Sequence, residues 1–180
     1  MSKMIFAILL TASVAFSADD IQTLTQQCEA NNGKTCHALG YNYDFGEGVA
    51  KDVNLAIKYY EKACNLKFSC NNLANIYYEG KGVAKNEAKA AEYYAKDCDL
   101  GNGSSCGNAG AHYLANTQRF LTAKKYLEKG CILKNGTSCH NLGVLYATGQ
   151  GVKADMVMAK RYYRKACNEL GFKASCRHAK

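Results

Sequence analysis

Ten cysteines are the most reactive side chains in this 180-residue chain, and they come in pairs. Cys28 and Cys36, Cys64 and Cys70, Cys98 and Cys106, Cys131 and Cys139, and Cys167 and Cys176 stand 6 to 9 residues apart. Paired thiols can close disulfides or ligate a metal. Structural zinc sites use tight C-x-x-C hairpins, which these gaps do not match, so no metal is expected. Other chemistry is thin. The histidines His37, His112, His140 and His178 form no H-E-x-x-H or other spaced cluster. S-x-x-K does not occur, and Thr122-x-x-Lys125 occurs once, a spacing more readily read as coincidence than as a nucleophile pair. The glycines fall at turns, which gives no phosphate loop. No catalytic residue can be named and no cofactor is expected.

The elements that hold these cysteines repeat. In the stretch from Cys70 to Cys106, Cys70, Leu73, Ala74 and Tyr77 share one helical face at 0, +3, +4 and +7. Gly80-Lys81-Gly82 breaks that helix. Asn86 is a suitable N-cap for a second helix, which carries Ala90, Tyr93, Tyr94 and Asp97 on one face and ends near Cys98. First-helix cysteines recur at 36, 70, 106, 139 and 176, and second-helix cysteines at 28, 64, 98, 131 and 167. Seven after the first stands Tyr43, Tyr77, Tyr113 or Tyr146, and five before the second stands Tyr59, Tyr93, Tyr126 or Tyr162. Such recurrence fits packing between helices rather than ligand contact. A period in the mid-thirties built from two helices signals an all-α, α/α solenoid.

The pattern C-x-x-L-G-x-x-Y-x-x-G-x-G-V…A-x-x-Y-Y-x-K-A-C resembles the Sel1-like repeat, a relative of the tetratricopeptide repeat. The phased cysteines resemble the Helicobacter cysteine-rich protein family, whose exported members are stapled by disulfides. The likeness runs from about Ile21 to Cys176. It implies that the cysteines pair across the short turns, 28 with 36, 64 with 70, 98 with 106, 131 with 139 and 167 with 176. Pairing inside a unit, such as Cys36 with Cys64, is the alternative. In tetratricopeptide relatives the first helices line a concave groove. Carried over, the groove positions include His37, Asn71 and His140 one after the cysteine, Tyr41 and Asn75 five after, Tyr78 eight after and Phe45 nine after. Asn71 and Asn75 lie one turn apart and suit a peptide backbone. The resemblance thus implies a binding module for a peptide or protein ligand. It also implies two alternatives. One is a β-lactamase or penicillin-binding protein acting on β-lactams or peptidoglycan-like peptides. The other is a secreted host-interaction factor.

Residues 1–18 read as a signal peptide: Lys3, an apolar run from Met4 to Phe16, then small residues. The run is short for a spanning helix, and no cysteine near it offers a lipoprotein anchor. Export, to a periplasm or beyond, favours the disulfide reading. Residues 19–180 are expected to form one solenoid, with repeats at about 36–69, 70–105, 106–138 and 139–175 and a lone helix from Asp20 to Cys28 as N-terminal cap. The formal charge of +8 is consistent with acidic partners, though the lysines recur at fixed repeat positions, as on a solvated face. No nucleic-acid motif is present. The third unit lacks the glycine turn, having Leu114-Ala115-Asn116-Thr117-Gln118 instead. After Cys176 barely one turn remains, which leaves the outer face of unit four partly open or frayed.

Overall fold

The computed structural model describes residues 18–115 and 119–180. The expected signal peptide lies outside these residues apart from Ala18, as do Asn116, Thr117 and Gln118 of the irregular third turn. The described residues are helical with no strand. A lone helix α1 (Ala18–Glu29) precedes four helix pairs: α2 (Gly33–Phe45) with α3 (Val53–Asn65), α4 (Asn71–Glu79) with α5 (Glu87–Asp99), α6 (Gly103–Ala115) with α7 (Phe120–Ile132), and α8 (Gly136–Thr148) with α9 (Met156–Arg164). The last turn of α9 widens into a π-turn, Lys165–Glu169. Each helix packs mainly on its neighbours in sequence, with further contacts between alternate helices such as α5 with α7 and α6 with α8. That is the one-dimensional packing of a solenoid.

Short polar residues start the helices. Asp52, Asn86 and Asp155 accept hydrogen bonds from backbone N–H groups of the first turns of α3, α5 and α9, as their positions suggest. Asn32, Asn102 and Asn135 do the same for α2, α6 and α8. The N-cap amides of α3, α5, α7 and α9 also donate to the carbonyls of Tyr43, Tyr77, Tyr113 and Tyr146. Arg119 fills that place before α7, so the third unit keeps this contact without a side-chain cap.

The second helices end in left-handed residues: Asn31, Lys67, Gly101, Lys134 and Gly171 all have φ between 58° and 99°. The next amide folds back, as in Phe68 N–H to Ala63 O and Asn135 N–H to Gly130 O. This turn brings the flanking cysteine Cα atoms within 4.5–5.0 Å, and all ten cysteines pair across it as the resemblance implies.

Within each pair the recurrent tyrosines stack. Ring centroids are 5.6 Å apart for Tyr43–Tyr59, 5.8 Å for Tyr77–Tyr93, 5.7 Å for Tyr113–Tyr126 and 5.6 Å for Tyr146–Tyr162. Beneath them the position four after the first-helix cysteine must be small. A Cβ on Gly40 would stand 2.5 Å from Tyr60, which is fully buried. Gly40→Ala is therefore expected to cost about 1–3 kcal/mol through overpacking. Urea unfolding of the oxidised protein measures it; an unchanged midpoint would mean Tyr60 moves aside freely.

The ends are covered. Ile21 and Leu24 of α1 pack on the cluster of Cys28, Cys36, Leu39 and Ala63. At the other end the structure departs from the open face expected after unit four. Phe172 packs on the core of α7 and α8, Ser175 is fully buried, and His178 stands 5.0 Å from the Tyr163 ring. The Cys167–Cys176 disulfide anchors this tail.

Candidate ligand-binding site

Two clefts lie along the first helices. One, of about 160 Å³, separates α2 from α4; Tyr41, Asp44 and Phe45 face Asn72, Asn75, Ile76 and Glu79, and Lys81 closes the side. The other, of about 450 Å³, lies between α4, α5 and α6; Tyr78, Glu87, Ala91 and Tyr94 face Asn108, Ala111, His112 and Ala115. Helix α4 is the ridge between them and serves both.

The walls are held in place. Tyr41 and Phe45 lie one helical turn apart, and their rings approach to 4.5 Å. Lys81 sits 4.5 Å from the Phe45 ring centroid and pairs with Asp44 at 2.5 Å, which gives that buried carboxylate its partner. Asn75 Oδ1 accepts from the Tyr94 hydroxyl at 2.6 Å. Burial pushes the Tyr94 phenol up, so it remains a donor. Asn72 donates to the Tyr60 hydroxyl at 3.1 Å. The surface therefore offers exposed aromatic rings, with Tyr78 and Phe45 about half exposed, beside oriented amides and carboxylates.

Of the residues expected from the repeat register, Tyr41, Asn75, Tyr78 and Phe45 line these clefts. Asn71, His37 and His140 line neither. Asn71 Oδ1 accepts from Ser69 Oγ at 2.9 Å at the start of α4. His37 packs between Tyr60 and Phe68, with Asn72 Nδ2 3.3 Å from its Nε2. His140 repeats this arrangement with Tyr163 and Phe172, and its Nδ1 is 2.8 Å from Ser175 Oγ. The two histidines thus sit at repeat junctions and share no partner. The register overlooked Asn72 and Asn108, two after the cysteine, although Cys70-Asn71-Asn72, Cys106-Gly107-Asn108 and Cys139-His140-Asn141 show asparagine recurring there.

Burial lowers the pKa of His37, against a weaker opposing pull from Asp97; burial, His178 and Arg177 lower that of His140. A folded pKa below the unfolded value means that the unfolded chain takes up protons first on acidification. The stability from these junctions is complete above about pH 6.5 and is lost as the pH falls below it. Unfolding midpoints between neutral and mildly acid pH should fall accordingly, and the fall should flatten in a His37→Gln/His140→Gln variant. A slope that survives the double substitution would place the proton uptake elsewhere.

A family model described as Sel1 repeat matches residues 34–68, 67–102 and 136–169, three of the four helix pairs. The chain belongs to the Sel1 repeat family. Its irregular pair, α6 with α7, lies between the matched spans. Sel1 repeats are protein-interaction scaffolds. In fold the chain is similar to a Sel1 repeat protein from Oxalobacter formigenes, with a TM-score of 0.73 and 24% identity over 84% of this chain and 64% of that one. It is also similar to c5321, a protective antigen present in uropathogenic Escherichia coli strains that displays an SLR fold. There the TM-score is 0.69 and the identity 26%, over 88% of this chain and 37% of that one. The chain thus spans under two thirds of either protein. Helicobacter pylori cysteine rich protein B matches at 26% identity over 88% of this chain and 91% of its own, with a TM-score of 0.32. Comparison with curated proteins gives no match. Five disulfides suit an oxidising environment, as export provides. Among the described residues, no helix of this Sel1 repeat protein is long and apolar enough to cross a membrane.

Proposed function

We propose that this Sel1 repeat protein is an exported binding module that holds an extended segment of a peptide or protein ligand along α2, α4 and α6. The observation that carries this reading is the pair of adjoining clefts with exposed Tyr41, Phe45 and Tyr78 beside the amides of Asn72, Asn75 and Asn108. Rings supply contact area, and amides can both donate to and accept from a strand's backbone. The likeness to a protective antigen supports a place outside the cytoplasm, in the periplasm or secreted.

The test is selection from a displayed peptide library by the oxidised protein, followed by calorimetry on the selected peptide. Peptidoglycan stem peptides and β-lactams belong in the same panel, with chromogenic β-lactam turnover as the enzymatic readout. Asn75→Ala and Tyr78→Ala should each weaken binding about 5- to 30-fold, in the range of single interface contacts worth 1–2 kcal/mol. Failure to select any peptide, or selected peptides indifferent to both substitutions, would remove the groove from the function.

A further inference from the structure

Charge is distributed unevenly along the chain. Residues 119–180 hold 13 of its 23 lysines and arginines but 3 of its 15 acidic residues, a formal +10 that leaves −2 for the remainder. Of these cations, Lys124, Lys125 and Lys129 lie on α7 and Lys160, Arg161 and Arg164 on α9. Where α5 carries Ala88, Glu92 and Ala95, the same repeat positions of α9 carry Val157, Arg161 and Arg164. They lie at i, i+4 and i+7, on one stripe. The matching positions of α7 carry Leu121, Lys125 and Glu128, the last paired with Lys124 at 2.9 Å, and Ile132 follows one turn on. A groove of about 320 Å³ separates the two helices, with Ile132 on one wall and Arg161 on the other.

Two features of this face point to its occupant. Lys125, Arg161 and Arg164 are exposed and form no ion pair with an acidic side chain among the described residues. Between them stand apolar side chains held in water: Leu121 is 73% exposed, Ile132 74% and Val157 80%. A soluble polyanion would use the cations and gain nothing from the apolar tips. A bilayer with anionic headgroups uses both, since cations settle at the phosphates while apolar side chains enter the acyl boundary.

We infer that the outward face of α7 and α9 docks on an anionic phospholipid surface. The guanidinium groups of Arg161 and Arg164 and the ammonium of Lys125 meet the headgroups; Leu121, Ile132 and Val157 dip below them. This surface uses none of the cleft residues, so it stands independently of the peptide-binding reading.

Vesicle flotation tests it. The chain from Ala18 onward holds every described helix and all five disulfides; the apolar stretch before it is left off so that it cannot bind lipid itself. Phosphatidylcholine vesicles with about a third phosphatidylglycerol should bind the protein at least roughly tenfold more tightly than pure phosphatidylcholine. R161E/R164E should lose about tenfold or more of that affinity. L121S/V157S should also weaken vesicle binding while leaving binding to soluble polyphosphate unchanged. All four positions are solvent-exposed, and circular dichroism verifies that each variant is folded. Equal binding to both vesicle types, binding to neither, or full vesicle binding by L121S/V157S would overturn the inference, the last outcome in favour of a soluble polyanion.

Discussion

Reduction of the five disulfides is expected to unfold the chain at neutral pH and room temperature. Each closes a short loop, with sequence separations of 6 to 9 residues. On the chain-entropy model such loops contribute about 2–2.5 kcal/mol each. Together that is on the order of 12 kcal/mol, against a net stability of about 5–15 kcal/mol for a whole domain. The core has little to set against the loss, because much of it is alanine and cystine: Ala56, Ala63, Ala74, Ala90 and Ala91 are buried, as are eight of the ten half-cystines. Far-ultraviolet circular dichroism during titration with a thiol reductant, with free thiols counted in parallel, measures the effect. A helical signal undiminished after ten thiols have been released would show that packing alone sustains the solenoid. Removal of one staple, as in Cys98→Ser/Cys106→Ser, should cost about 2–3 kcal/mol and leave a folded protein.

The second large effect is expected at Asp97. Its carboxylate is 2% exposed. Oδ1 accepts from the Cys70 backbone N–H at 2.7 Å, with Ser69 Oγ 3.4 Å away, and Oδ2 accepts from Ser105 Oγ at 2.7 Å. Helix α4 has no side-chain cap of its own, and Asp97 reaches from α5 to take up the amide just before it. One residue thereby ties the Cys64–Cys70 junction to the Cys98–Cys106 junction, beneath the ridge that separates the two clefts. Asp97→Ala leaves a buried N–H and a buried hydroxyl without their acceptor, at a cost of about 2–4 kcal/mol. Asp97→Asn should cost less, because its carbonyl can still serve Cys70. A double-mutant cycle with Ser105→Ala should return a coupling of about 0.5–3 kcal/mol. Additive losses would mean the two side chains do not act together. If Asp97→Ala also weakens peptide binding while Ser105→Ala does not, the Cys70 contact is what sets α4 between the clefts.

Much of this architecture was legible because repetition amplifies weak signals. One tyrosine at Tyr43 says little; Tyr43, Tyr77, Tyr113 and Tyr146 in phase with Tyr59, Tyr93, Tyr126 and Tyr162 define the stacks later found in every pair. The same argument hid Asp97. At its repeat position the other units have Ala63, Gly130 and Ala166, so the register marks it as a packing residue. Its role depends on two turns meeting in space, which no periodicity reports. His37 and His140 were drawn toward the groove by a register borrowed from tetratricopeptide helices. In the structure Phe68 and Phe172, from turns outside those helices, cover them. The closed C-terminal end was likewise illegible, because its contacts come from an irregular segment with no repeat to match.

The placement of the staples has a bearing on how such a chain can change its length. Every disulfide joins cysteines inside one short turn, and no two of their loops overlap or enclose one another. A breakpoint anywhere else in the repeat leaves each bridge intact on one side of it. Duplication or loss of a period of about 34 residues, in the range typical of helix-pair repeats, then adds or removes a whole bridge. Recombination can lengthen or shorten the superhelix without creating an orphan thiol, an avenue closed to exported proteins whose bridges interlock across the fold.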